Sequence, residues 1–146
     1  MDVWRRVLDV NLTGTFFVIK AFLPLMKDGG NGRIVNIGSG TFFVGTPMHS
    51  AYASSKGGIL GMTRTLAREF GQYGITVNQV TPGLTITPSS VKHMPESVVS
   101  MQRQLRALQR DQVPEDVVGS VFFLASDDAA FVTGQTINVD GGRHLL

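Results

Sequence analysis

Arg33-Ile34-Val35-Asn36-Ile37-Gly38-Ser39-Gly40-Thr41, followed at Ser50 by Ser50-Ala51-Tyr52-Ala53-Ser54-Ser55-Lys56-Gly57-Gly58, decides how the chain folds. The first segment is a short, nearly unbroken apolar run closed by glycines, as expected of a parallel strand buried on both faces. The second opens a helix whose apolar residues Ile59, Met62 and Leu66 recur at steps of three and four. Strand, turn and helix in that order make half of a parallel α/β unit, in which reactive side chains sit beyond the carboxyl ends of strands. Ser39 occupies such a position. Tyr52 and Lys56 are four residues apart, so on a helix they share a face about 6 Å apart along the axis. An ammonium beside a phenol stabilises the phenolate and suits the tyrosine to general acid–base work. Ser39 can donate to the same substrate oxygen.

Upstream, residues 2–27 read as one helix. Trp4, Leu8, Leu12, Phe16, Ile19, Leu23 and Met26 form one apolar stripe, and Val3, Val7, Gly14, Val18, Phe22 and Leu25 form a second. Two stripes predict burial on two sides, one on the sheet and one on a partner subunit. Asn11 interrupts the second stripe, and a buried amide must be hydrogen-bonded. It is either a satisfied core asparagine at a kink or part of the site. Residues 27–32 form a turn by composition.

Downstream of the Tyr–Lys pair, Ser50 is the expected helix cap, and Gly71 and Gly74 are the stop signals near Phe70. Gly57, Gly58 and Gly61 predict close approach by a neighbour. Ile75-Thr76-Val77-Asn78-Gln79-Val80 alternates and predicts a strand, closed by Thr81-Pro82-Gly83. Pro95 is expected to start a helix with Val98, Met101, Leu105 and Leu108 on its apolar side. Its Arg103, Arg106 and Arg110 are either solvated or meet an anionic substrate. Pro114-Glu115-Asp116 starts another helix, with Val117, Val118, Val121, Phe122 and Leu124 facing the core. Thr136-Ile137-Asn138-Val139-Asp140 is the last strand.

The chain has 146 residues, enough for a core. With 42% hydrophobic and 16% charged residues it reads as globular rather than disordered. No cysteine is present, so disulfides and thiolate metal sites are excluded. His49, His93 and His144 are too scattered to predict a metal site. The net charge of +2 is spread along the chain, which argues against a nucleic-acid surface. No apolar run approaches the ~18 residues of a membrane span. The expected location is cytoplasmic.

Ser39 with Tyr52-x-x-x-Lys56, Asp9-Val10-Asn11-Leu12-Thr13-Gly14, and Thr133-Gly134-Gln135 through Asp140-Gly141-Gly142 together resemble the short-chain dehydrogenase/reductase family. The resemblance runs over essentially the whole chain. It implies that Ser39, Tyr52 and Lys56 are the catalytic residues, with Asn11 holding a relay water as the fourth. It implies a nicotinamide cofactor, NAD or NADP with NAD favoured, contacted by Tyr52, Lys56, Pro82, Gly83, Thr85 and Thr87. It places Ser39, Thr41, His49 and Tyr52 toward the substrate, a small alcohol or carbonyl compound. Phe42, Phe43, Pro47 and Met48 either line a pocket for a flat substrate or simply pack; the loop is similar to that of bacterial dehydrogenases of aromatic alcohols. His49 is either a specificity residue or a surface histidine. A 3-oxoacyl-carrier-protein reductase is the alternative, and a non-catalytic interaction module is the rival from another class. The expected fold is the C-terminal half of a doubly wound, Rossmann-like parallel sheet of about three strands. The Gly-rich dinucleotide-binding half is expected to lie outside residues 1–146. A homodimer or homotetramer is expected.

Overall fold

The computed structural model describes residues 1–145. Its sheet has three parallel strands, β1 (Arg33–Ile37), β2 (Thr76–Pro82) and β3 (Thr136–Val139), in the order β1-β2-β3. Asn36 lies opposite Gln79, and Gln79 opposite Thr136. The central strand does not alternate as the sequence suggested: Thr76 to Thr81 are all buried. Neighbours on both edges and helices on both faces explain this.

On one face lie α2 (Gly14–Gly29) and α4 (Ser50–Phe70), whose Ile19, Leu66, Ala67 and Phe70 meet Ile34, Ile75 and Val77. On the other, α7 (Glu115–Ala125) sets Val117, Val121 and Leu124 against Val80, Val35 and Ile137. Val118 and Phe122 do not join that core; they are 60% and 73% exposed. The helical periodicity is genuine, but the sheet takes only a narrow stripe of it.

The first rod runs α1 (Asp2–Leu8), a π-turn (Asp9–Thr13), then α2. Asn11 sits in the π-turn, where the extra residue per turn frees backbone groups; Thr15 Oγ1 donates 2.8 Å to the Asn11 carbonyl. Contrary to the sequence reading, Asp2–Gly29 is long and apolar enough to cross a membrane by length and composition, an 18-residue window within it having a mean hydropathy of 1.4. Here it docks on the domain through Ile19, Leu12 and Asn11. Val3, Val18, Phe22 and Leu25, most of the second stripe, remain exposed.

Helix starts also differ from expectation. His49, not Ser50, precedes α4, and no side chain caps it. Gly71 continues into a 3₁₀ turn, and Gly74, at φ 69°, ends it. Two short helices, α5 (Pro88–His93) and α6 (Glu96–Gln104), follow β2. In α6 the inward residue is Val99 and Met101 is exposed; Leu105 and Leu108, expected on the same helix, lie beyond its end and are exposed.

Candidate active site

The turn after β1 is closed by necessity. A Cβ on Gly38 would run into the Gln79 amide and the Thr81 side chain, so the chain can pass this point only as glycine. Ser39 then emerges at the strand's carboxyl end, largely buried, with its Oγ 2.8 Å from Thr41 Oγ1 and accepting the Thr41 N–H at 3.2 Å. Thr41 opens the single turn α3 (Thr41–Val44).

Helix α4 brings Tyr52 and Lys56 to the same strand end. Lys56 Nζ donates to the Ile37 carbonyl at 2.9 Å and lies 5.8 Å from the centre of the Tyr52 ring. Partial burial holds the Lys56 pKa below its ordinary value. Behind the pair, Asn11 Nδ2 donates to Ser55 Oγ at 3.1 Å, and Ser55 Oγ donates to the Tyr52 carbonyl at 2.7 Å. The π-turn is thereby tied to the backbone that carries Tyr52. Of the three glycines expected to allow close approach, Gly58 does so: a Cβ there would sit 2.7 Å from Leu12 Cδ2, whereas Gly57 and Gly61 face open space in this chain.

A cavity of about 730 Å³ opens over this strand end. Ser39, Thr41, His49 and Tyr52 line it, as do Pro82, Gly83 and Thr85 from beyond β2. Thr85 Oγ1 donates to the Gly83 carbonyl at 3.3 Å. Thr87 is not among the lining residues; its hydroxyl accepts the Ser90 N–H at 3.1 Å as the cap of α5. Phe42, Phe43, Pro47 and Met48 do not line the cavity either. The two phenylalanine rings pack on each other, 4.0 Å between centres, and Met48 is 99% exposed. Among the described residues Tyr52 carries the one aromatic carbocycle in the wall.

The far wall was not legible in the sequence. His93, Met94, Val98 and Gln102 approach from α5 and α6, and Arg143 and His144 from beyond β3. The three arginines weighed for an anion are engaged elsewhere. Arg103 pairs with Asp111 at 2.8 Å and Arg110 with Asp116 at 2.6 Å. Arg106, 4% exposed, donates to the carbonyls of Leu84 (2.5 Å) and Arg110 (2.9 Å), so it buttresses the segment that leads to Thr85. Asp140 is buried and accepts the N–H groups of Gly142, Arg143 and His144 at 3.0, 3.0 and 3.1 Å, with His144 Nδ1 2.6 Å away. Burial alone would raise its pKa, but hydrogen bonds, those from His144 and the Arg143 amide included, hold it below the ordinary carboxylate value. No cluster of metal ligands occurs among the described residues.

The family model described as Enoyl-(Acyl carrier protein) reductase matches residues 1–144. A (3R)-3-hydroxyacyl-CoA dehydrogenase of Rattus norvegicus is 45% identical over 97% of this chain and 55% of its own length. A 3-oxoacyl-[acyl-carrier-protein] reductase of Synechocystis sp. is 41% identical over 100% of this chain and 58% of its own. The crystal structure of a 3-oxoacyl-[acyl-carrier protein] reductase with bound NAD from Brucella melitensis superposes with a TM-score of 0.86 at 39% identity, over 99% of this chain and 53% of that one. The chain therefore spans about half the length of the relatives it matches.

Proposed function

The chain belongs to the short-chain dehydrogenase/reductase family, and on that premise we propose that it is the catalytic part of an enzyme that interconverts an alcohol and its ketone or aldehyde with NAD or NADP. One observation carries the reading: Ser39 and Tyr52 wall the same cavity as the Pro82–Gly83 turn, with the Lys56 ammonium on the Tyr52 side. In this proposal Tyr52 passes a proton to or from the substrate oxygen, and Ser39 orients that oxygen. With its Oγ already accepting the Thr41 N–H, the Ser39 proton is free to turn from Thr41 toward a substrate. Lys56 spends one of its donors on Ile37, which leaves two for the cofactor's ribose, and its charge stabilises a phenolate. Asn11 fixes the helix behind Tyr52 through Ser55 and is assigned the relay water.

The walls fit a nicotinamide. A Cβ on Gly83 would meet Gln112 Oε1 at 2.8 Å and Asp140 Cβ at 2.9 Å, so the turn keeps its path only as glycine. Pro82, Gly83 and Thr85 would hold the nicotinamide end, and Thr87, by resemblance, stands toward the pyrophosphate. When bound, the cofactor supplies or accepts the hydride. The relative with bound NAD supports NAD over NADP. The dinucleotide-binding strand, Gly-rich turn and helix are assigned to sequence outside residues 1–146, the location to the cytoplasm. The exposed stripe on the first rod is assigned to a homodimer or homotetramer. The names of the Synechocystis and Brucella relatives favour a second reading, reduction of a 3-oxoacyl group.

Tyr52→Phe in the full-length enzyme tests the assignment, because it deletes the transferable proton and little else. Turnover should fall to below about a tenth, at least ~1.4 kcal/mol of barrier, with cofactor affinity nearly unchanged. A variant that keeps more than that fraction removes Tyr52 from the mechanism.

A further inference from the structure

The chain has three histidines, at positions 49, 93 and 144, and all three line the cavity over Ser39 and Tyr52. Arg143 lines it as well, and among the described residues no aspartate or glutamate does. Four basic side chains thus converge from three separate elements: the loop before α4, the end of α5 and the turn after β3. Arg103 and Arg110 are neutralised by Asp111 and Asp116, and Arg106 is satisfied by backbone carbonyls. Among the described residues Arg143 makes no such pair within the cavity wall.

This end of the cavity is also built to be stiff. The Asp140 carboxylate gathers three consecutive backbone N–H groups, from Gly142 to His144, and also bonds the His144 ring. Gly141 and Gly142 turn at φ 72° and 77°, which other residues rarely adopt. The His144 ring lies against Gly40, where a Cβ would be 3.5 Å from Cε1 and Nδ1. With Nδ1 occupied by Asp140, Nε2 is the ring's remaining polar atom. Arg143, which precedes His144 in the chain and lines the same cavity, carries a permanent cation whose planar fork matches a carboxylate or a phosphate.

Resting on the reading of this cavity as the substrate pocket, we infer that the substrate carries an anionic group, bound at the end formed by Arg143 and His144 with His93 closing from α5. The group is either the carboxylate of a small oxo or hydroxy acid or a phosphate. A cavity of about 730 Å³ is of the size that holds a small molecule. In this reading the charge fixes orientation rather than taking part in the reaction.

The test uses the full-length enzyme with two matched pairs of carbonyl compounds, acetoacetate against methyl acetoacetate and dihydroxyacetone phosphate against dihydroxyacetone. The charged member of at least one pair should exceed its neutral partner by about tenfold or more in kcat/KM, and the pair that responds tells carboxylate from phosphate. Arg143→Leu should remove that preference through KM while altering kcat/KM for the neutral partner less than about threefold, and Arg143→Lys should restore part of it. Turnover of neutral compounds with no preference for charge in either pair overturns the inference and leaves the oxidoreductase reading standing. So does an equal loss for both members in Arg143→Leu. Absence of turnover with all four compounds counts against the oxidoreductase reading, and the anion site is then read by binding alone. Acetoacetate or inorganic phosphate should shift the imidazole proton resonances of His144 and His93 saturably in the wild type and not in Arg143→Leu. Unmoved resonances overturn the inference.

Discussion

Replacing Asp140 by alanine should loosen the whole turn beyond β3. The carboxylate accepts three backbone N–H groups at 3.0–3.1 Å and the His144 ring at 2.6 Å. Hydrogen bonds to a charged group contribute about 1.5–3 kcal/mol each. They share one acceptor and the turn lies near solvent, so the four are not additive, and about 3–5 kcal/mol in total is expected. For a chain of this size ~1 kcal/mol moves Tm by about 2–4 °C, so the midpoint should fall by roughly 6–20 °C. Asp140→Asn keeps Oδ1 for the Gly142 and Arg143 amides but turns an NH₂ toward His144, and should lose about half as much. The folded-state pKa of Asp140 lies below its unfolded value near 3.9. Its contribution is therefore fully present above about pH 4 and is lost as pH falls through the depressed folded value. The gap between wild type and Asp140→Asn should be wide at pH 7 and shrink below pH 4. Thermal unfolding followed by far-ultraviolet circular dichroism measures both. A midpoint for Asp140→Ala within about 2 °C of wild type would falsify the claim that this carboxylate organises the turn.

Two further outcomes concern the first rod. Gly58→Val should destabilise by about 1–3 kcal/mol, because its Cβ meets Leu12 Cδ2 at 2.7 Å, while Gly57→Ala, facing open space, should stabilise by about 0.5–1 kcal/mol. Urea unfolding that finds both substitutions equal in sign sinks the contact between π-turn and α4. The exposed Val3, Val18, Phe22 and Leu25 should be covered by a second copy of the protein. Sedimentation that finds a well-folded monomer at tens of micromolar counts against that assembly.

The local chemistry of the chain was written in its sequence. Residues 33–37 form a strand because Ile34, Val35 and Ile37 make a nearly unbroken β-branched run that ends in glycine, and the Tyr52–Lys56 spacing puts both side chains on one helical face whatever surrounds them. Those periods of two and 3.6 depend on backbone geometry alone. Gly74 and Pro95 mark boundaries for the same reason. Tertiary packing decided which of several apolar stripes is used. Val99 rather than Val98 joins the core, and Val118 and Phe122 are left exposed although Val117 and Val121 beside them pack on the sheet. Periodicity says that a face is apolar, not that anything covers it. The wall contributed by α5, α6 and the turn after β3 was least legible of all. His93, Arg143 and His144 look unrelated along the chain to Ser39 and His49. They meet because parallel strands bring all their carboxyl ends to one edge, so residues almost a hundred positions apart come to wall the same cavity.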